Sequence, residues 1–287
     1  MKSIYRNEIS KKAVLELYDR QIEELNISYK DLYVDTTFGK THLIECGNSE
    51  GKPLLVFHGG NATTAYNLKY CRFLLPHFHV YAVDTIGHPG KSAETELSSY
   101  GQDYGKWAVE VIQSLGFEKI ACFGGSFGAG ILVKAMCVAP EIIEKSVLLV
   151  PAAIKNAPLY KSINMAFPML MYWLTHKEKW LIQCFLPITL TEQDISEDFL
   201  VTARCSIDNV KIKSVMPQNE SCESLNKYHN PVLVMAAEKD QLFPANSVLP
   251  QVKKVWKQSV IYSLKNRGHM NKLTCAEEKM IIDFLLA

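Results

Sequence analysis

The residues most able to do chemistry in this 287-residue chain begin with Gly124, Gly125, Ser126, Phe127 and Gly128, a G-x-S-x-G run. It follows the short apolar stretch Ile120 to Phe123 and leads into a second one, Ala129 to Ala139, so it reads as strand, tight turn and helix. A serine in such a bend projects its hydroxyl above the sheet, and neighbours without side chains let strand and helix close on each other. The helix also aims its N-terminus at any negative charge that forms there. That is the chemistry of a nucleophile. A second polar cluster, Glu238, Lys239 and Asp240, follows the apolar run Val232 to Ala237, and a third, Asn266, Arg267, Gly268 and His269, follows Val260 to Leu264. Phe57, His58, Gly59, Gly60 and Asn61 form a glycine turn after Leu54 to Phe57.

Together these motifs resemble the α/β-hydrolase superfamily, from about Tyr29 to the C-terminus except for one long insertion. The resemblance implies the order nucleophile, acid, histidine along the chain. It maps the nucleophile to Ser126, the acid to Asp240 and the general base to His269. Glu238 is the competing acid, read as structural or solvated because it stands at the strand end. The superfamily's other acid position, after the preceding strand, holds Pro151, Ala152 and Ala153. In this reading His269 takes the proton from Ser126 while Asp240 fixes its tautomer. The backbone N–H groups of Gly60 and Phe127 map to the oxyanion hole, with Asn61 beside them; each donor is worth about 3 kcal/mol in the transition state. His58 is expected to shape the turn. His77, His79, His176 and His229 read as surface loop residues.

Asp84 to Ser92 contains Gly90, Lys91 and Ser92, which hint at a phosphate loop. A Walker motif requires glycine where the chain has Thr85, and no convincing helix follows. The D-x-x-G-x-x-G-x-S pattern resembles instead a structural loop of the same superfamily.

These residues need a scaffold that brings distant loops together. Short apolar runs without in/out alternation, at Leu54 to Phe57, Val80 to Val83, Ile120 to Phe123, Val147 to Val150, Val232 to Ala236 and Val260 to Ser263, predict parallel strands covered on both faces. Helices are expected at Thr64 to Leu75, Tyr100 to Leu115, Phe127 to Ala139, Ser247 to Val255 and Thr274 to Leu286. The fold class is therefore α/β, a doubly wound and mostly parallel sheet. A leading amphipathic helix from Ser10 to Asn26 and an edge hairpin, Tyr29 to Thr36 with Lys40 to Cys46, precede it. The gap from Pro151 to about Tyr228 predicts an inserted helical cap, residues 152–228, on a core formed by 1–151 and 229–287. Its helical segments are expected at Tyr160 to Thr175, Lys179 to Phe185 and Glu192 to Asp208. Phe167, Met169, Met171 and Trp173 are candidates to line an acyl pocket, although packing of the cap onto the sheet explains them equally well.

Composition sets the outer bounds. Lys plus Arg (31) nearly balances Asp plus Glu (30), which gives no global field for nucleic acid. Eight scattered cysteines lack metal-ligand spacing and fit a reducing cytoplasm; Cys122 and Cys137 read as core. No signal peptide or membrane span is expected, since the apolar stretch Ala166 to Leu174 is far below the roughly 20 residues a spanning helix needs. The expected partner is a small acyl substrate, most broadly a carboxylic ester. Thioester, amide, lactone and C–C cleavage stay open, as does acyl transfer or cofactor-free perhydrolysis on the same residues. A non-catalytic ligand-binding protein of this fold is the alternative from another class. The triad needs neither metal nor organic cofactor, and none is expected.

Overall fold

Strands covered on both faces must be apolar throughout, and β7 (Val232–Ala237) meets this fully, with all six residues buried. The computed structural model describes residues 3–212 and 215–287. Its eight strands are β1 (Tyr29–Thr36), β2 (Gly39–Gly47), β3 (Lys52–Phe57), β4 (Phe78–Val83), β5 (Ile120–Gly125), β6 (Ile143–Leu149), β7 and β8 (Val260–Leu264). They form one sheet in the order β1-β2-β4-β3-β5-β6-β7-β8. β2 runs antiparallel to both neighbours, and every other adjacent pair is parallel. The β1–β2 hairpin turns at Thr37 and Phe38, and β2 starts at Gly39, one residue before the expected Lys40, because Gly39 already pairs with Thr36.

Alternate strand residues feed two cores. Leu55, Phe57, Val234 and Ala236 join the face covered by α3 (Asp103–Ser114), α4 (Phe127–Val138) and α9 (Ala245–Val255). Leu54, Val56, Leu233 and Met235 join the face covered by α1 (Glu8–Glu24), α2 (Thr64–Tyr70) and α10 (Cys275–Leu286). Several helix ends differ from those expected. α2 stops at Tyr70 and the chain tightens into a 3-10 turn at Arg72–Leu74, since it must descend at once into β4. α3 starts at Asp103, not Tyr100.

Between β6 and β7 the chain leaves the sheet. A 3-10 segment (Leu159–Met165) leads to α5 (Ala166–Thr175), α6 (Glu178–Thr189), α7 (Glu197–Asn209) and the short α8 (Cys222–Leu225). The single helix expected from Glu192 is split, because Ser196 caps α7 by accepting a hydrogen bond from the Phe199 N–H. No helix among the described residues is long and apolar enough to cross a membrane.

The loop after β4 folds around a buried carboxylate. Asp84 accepts hydrogen bonds from the backbone N–H groups of Lys91 (2.9 Å) and Thr64 (3.3 Å), so it fixes both the loop and the start of α2. His42 bridges Asp84 Oδ2 (2.8 Å) and Asp31 Oδ1 (2.7 Å) through its two ring nitrogens. Gly90 has φ of 145°, and a Cβ there would lie 2.7 Å from the Asp84 carboxyl carbon. Ser92 donates to the Asp84 carbonyl and accepts from the His42 N–H. Each fixed position of the D-x-x-G-x-x-G-x-S pattern except Gly87 thus has a direct contact with this carboxylate or its residue. Burial by itself would raise the Asp84 carboxyl, but hydrogen bonding and charge from His42 outweigh it, leaving Asp84 below the ordinary carboxylate range. Asp31 is lowered in the same way. The unfolded chain therefore binds more protons here, and the stabilisation is present above about pH 4 and lost as pH falls through the depressed folded values. Urea midpoints measured from pH 7 to pH 3 should fall at the acid end. Asp84→Asn should be less stable at pH 7 and lose less on acidification; identical acid slopes for the two proteins would remove Asp84 from this account.

Candidate active site

At the end of β5 the backbone makes a turn that L-residues avoid. Ser126 has φ 53° and ψ −114°, a conformation costing about 1–3 kcal/mol unless its surroundings impose it. Here they do. The Ser126 N–H donates to the Leu149 carbonyl (2.9 Å), and its own carbonyl accepts from Gly130 (3.0 Å) and Ala152 (3.3 Å). α4 begins with the next residue and passes very close to β3. A Cβ on Gly128 would lie 2.5 Å from the Phe57 carbonyl oxygen, and one on Gly124 would lie 2.8 Å from the Ala129 nitrogen. Gly125 differs, having nothing within 4 Å of such a Cβ.

His269, six per cent exposed, enters this turn from the loop after β8. Its Nε2 lies 2.9 Å from Ser126 Oγ and its Nδ1 lies 2.8 Å from Asp240 Oδ2. Side chains 143 and 29 positions apart are thereby brought into one line. Asp240 is itself held, since its Oδ1 accepts from the N–H groups of Leu242 (2.7 Å) and Phe243 (3.1 Å). The Phe243 ring packs edge-on to His269 at 5.4 Å. Glu238, the competing acid, accepts from the Asn266 N–H at 2.9 Å, at a residue with φ of 58°. It braces the histidine loop, whereas Asp240 is the acid that reaches the imidazole, so the geometry favours Asp240.

The turn after β3 lies alongside. A Cβ on Gly59 would be 3.9 Å from Ser126 Cβ, and one on Gly60 would be 3.3 Å from the Phe127 ring. His58 is buried; its Nε2 accepts from the Thr85 N–H (3.0 Å), which leaves Nδ1 to donate to the Gly59 carbonyl (2.7 Å). Burial lowers its pKa against the pull of Asp84, so it stays neutral at pH 7 and serves the turn. Asn61 has φ of 55° and donates its N–H to His88 Nδ1.

Two contacts from the inserted helices were invisible in the sequence. Ser206 on α7 donates to the Asn61 carbonyl (2.9 Å), and the Ile188 carbonyl at the end of α6 accepts from the Met270 N–H (2.9 Å). Gly268 admits Ile188 this closely, because a Cβ there would lie 2.5 Å from that oxygen. Arg267, also not singled out, forms an ion pair with Glu277, whose carboxyl is lowered by it despite burial. No spacing rule marks a serine or a carbonyl sixty or more residues from the group it supports. The four candidate pocket residues sit differently from the triad candidates. Met169 packs into an internal cluster with Tyr172, Leu181 and Ile207. Phe167 packs edge-on to Trp180 and is 60% exposed, Trp173 is 48% exposed, and Met171 is partly buried.

A family model described as the alpha/beta hydrolase fold matches residues 52–186. Over 96% of this chain and 98% of its own, the solved carboxylesterase CesB (YbfK) from Bacillus subtilis superposes with a TM-score of 0.79 at 23% identity. The chain has the α/β-hydrolase fold. The solved naproxen esterase of Bacillus subtilis gives a TM-score of 0.82 at 20% identity over 95% of this chain and 96% of that one. By sequence, carboxylesterase YbfK of Bacillus subtilis (strain 168) is 33% identical over 137 residues, 48% of this chain. That match spans about half the length of the curated relative, 46%.

Gly125 and Gly128, before and after Ser126, offer a direct test of the close approach. Gly128→Ala must push α4 from β3 against backbone atoms and should cost about 1–3 kcal/mol, seen as a lower melting temperature. Gly125→Ala should change stability by less than about 0.5 kcal/mol. Equal melting temperatures for the two variants would show that the approach is not what holds the turn.

Proposed function

We propose that this chain is a serine carboxylesterase with Ser126 as nucleophile, His269 as general base and Asp240 as the acid that orients it. The observation that carries the reading is the continuous contact Ser126 Oγ, His269 Nε2, His269 Nδ1, Asp240 Oδ2, at 2.9 and 2.8 Å, at the carboxyl end of the parallel strands. The carboxylesterase names of the curated relative and of the superposing structure favour an ester over the other acyl substrates.

In this mechanism Ser126 Oγ attacks the ester carbonyl and its proton passes to His269 Nε2. The negative charge that develops on the carbonyl oxygen meets the backbone N–H groups of Gly60 and Phe127, while Asp240 stabilises the imidazolium. Collapse of the tetrahedral intermediate breaks the C–O bond. His269 returns the proton to the departing alcohol, leaving an acyl group on Ser126. Water then loses a proton to His269 and attacks the acyl carbon, which releases the carboxylic acid and restores Ser126. Asp240 performs its part because two backbone N–H groups occupy its other oxygen, so the carboxylate cannot rotate away from the imidazole.

A fluorophosphonate probe should label Ser126, located by peptide mass spectrometry, and Ser126→Ala should not be labelled. Asp240→Asn should reduce kcat on a small aryl acetate by about 10⁴-fold, while Glu238→Gln should act chiefly on stability. Undiminished labelling of Ser126→Ala, or a Glu238→Gln loss as large as that of Asp240→Asn, would overturn the assignment.

A further inference from the structure

The segment between β6 and α6 exposes an unusual run of large apolar side chains. Leu159, Ile163, Phe167, Leu170, Trp173 and Leu174 are between 48 and 82% exposed, and Tyr160 beside them is 68% exposed. They do not fall at random. In α5, Phe167, Leu170 and Leu174 recur at i, i+3 and i+7, which sets them along one side of the helix. Tyr172 and Met169 point the other way, into the cluster with Leu181 and Ile207. Ile163 continues the same side one turn earlier. A helix whose inner face is already packed does not need a second apolar face for folding, and contiguous exposed apolar surface of this kind marks an interaction site.

The charges around it say what covers it. From Lys155 to Lys177 the chain contains no aspartate or glutamate, while Lys155, Lys161 and Lys177 are all exposed. Lys179 follows, and the nearby acids are engaged: Glu178 pairs with Arg204, and Asp208 accepts from the Tyr172 hydroxyl (3.1 Å) and lies 3.6 Å from His176 Nδ1 on the packed side of α5. The net charge of the whole chain is only +1, so this is a local basic rim around an apolar face and not a property of the molecule. Lysines beside exposed Trp, Tyr, Phe and Leu on an amphipathic helix fit the boundary between water and an anionic lipid surface. A second copy of this chain fits less well, because a two-fold contact sets the patch against itself and brings like-charged lysines together. The segment also begins next to the acid loop: the Ala157 N–H donates to the Leu242 carbonyl (2.7 Å), and Asn164 reaches Gln241 (3.4 Å).

We propose that the Leu159–Leu174 face docks this protein onto an anionic lipid surface, with the apolar side chains entering the headgroup boundary and the lysines meeting lipid phosphates. This goes beyond the esterase reading and does not depend on it, since docking is read without any hydrolysis.

The test is cosedimentation of the full chain with vesicles of phosphatidylcholine alone and of phosphatidylcholine mixed with phosphatidylglycerol. The expected result is association with the mixed vesicles, at least tenfold weaker with phosphatidylcholine alone and weakened by salt. Lys161→Gln and Lys177→Gln should each lower the association about fivefold. Leu170→Glu combined with Leu174→Glu should abolish it, with circular dichroism melting confirming that this variant folds. Quenching of tryptophan fluorescence by brominated lipid in the wild type, lost in Trp173→Tyr, provides a readout independent of the glutamate variant. Three results would overturn the proposal: no association of the wild type with either vesicle, undiminished binding by the Leu170→Glu, Leu174→Glu variant, or a dimer in sedimentation equilibrium that this variant splits.

Discussion

The arrangement around Ser126 depends on two backbones touching. α4 passes over the end of β3 so closely that Gly128 has no room for a Cβ beside the carbonyls of Phe57 and His58. That single approach forces the sharp reversal between β5 and α4 and leaves Ser126 in a conformation it would not choose. It also brings the Gly59–Gly60 turn, which continues directly from β3, against Ser126 and Phe127. Ser126, the proposed nucleophile, and the turn beside it are thus placed by one steric contact. The conformational cost at Ser126 is offset by the hydrogen bonds its own peptide groups make to Leu149, Gly130 and Ala152.

The loops that complete the site are held differently, by polar groups working at the rim of an apolar sheet. Glu238 fixes the backbone at Asn266, Arg267 pairs with Glu277 at the capped start of α10, and Asn271 donates to the carbonyls of Gly268 and His269. On the far side of the Gly60 turn, Asp84 and His42 organise the loop that supplies Thr85 to His58. Asp84 and Glu277 are buried, where an unpaired charge is costly, and each is matched by hydrogen bonds, Asp84 from His42, Lys91 and Thr64 and Glu277 from Arg267 and Thr274. The sheet supplies position and the polar shell supplies orientation.

Much of this was legible because local chemistry and local structure coincide. The glycines around Ser126, the polar residues after Val232–Ala237 and the Gly268-His269 pair all lie next to apolar strands that announce themselves, so strand positions and the loops that follow them could be read together. The hairpin and the core placement of Cys122 and Cys137 were legible for the same reason. The sequence was silent where tertiary contact decides. His42 gave no signal of its place between Asp84 and Asp31, and nothing about Ser206 or Ile188 marked their reach to Asn61 and Met270. Helix ends were misjudged where a cap or a forced descent intervened, at Ser196 and after Tyr70. The aromatic and methionine run from Phe167 to Trp173 was ambiguous by nature, because apolar side chains carry no label for pocket, packing or exposed face.

The bonds from Ser206 to Asn61 and from Ile188 to Met270 give the helical insertion an evolutionary constraint. An inserted segment that merely sat above the sheet would be free to be exchanged, shortened or rebuilt by recombination. This one is stitched to the two loops flanking Ser126, one stitch from α7 and one from the end of α6. A foreign insertion grafted at the same boundaries would have to bring a donor near Asn61 and an acceptor near Met270, or arrive with replacements for both. Diversification of this lineage is therefore expected to proceed by residue changes within the insertion, with its length and its two points of attachment held fixed.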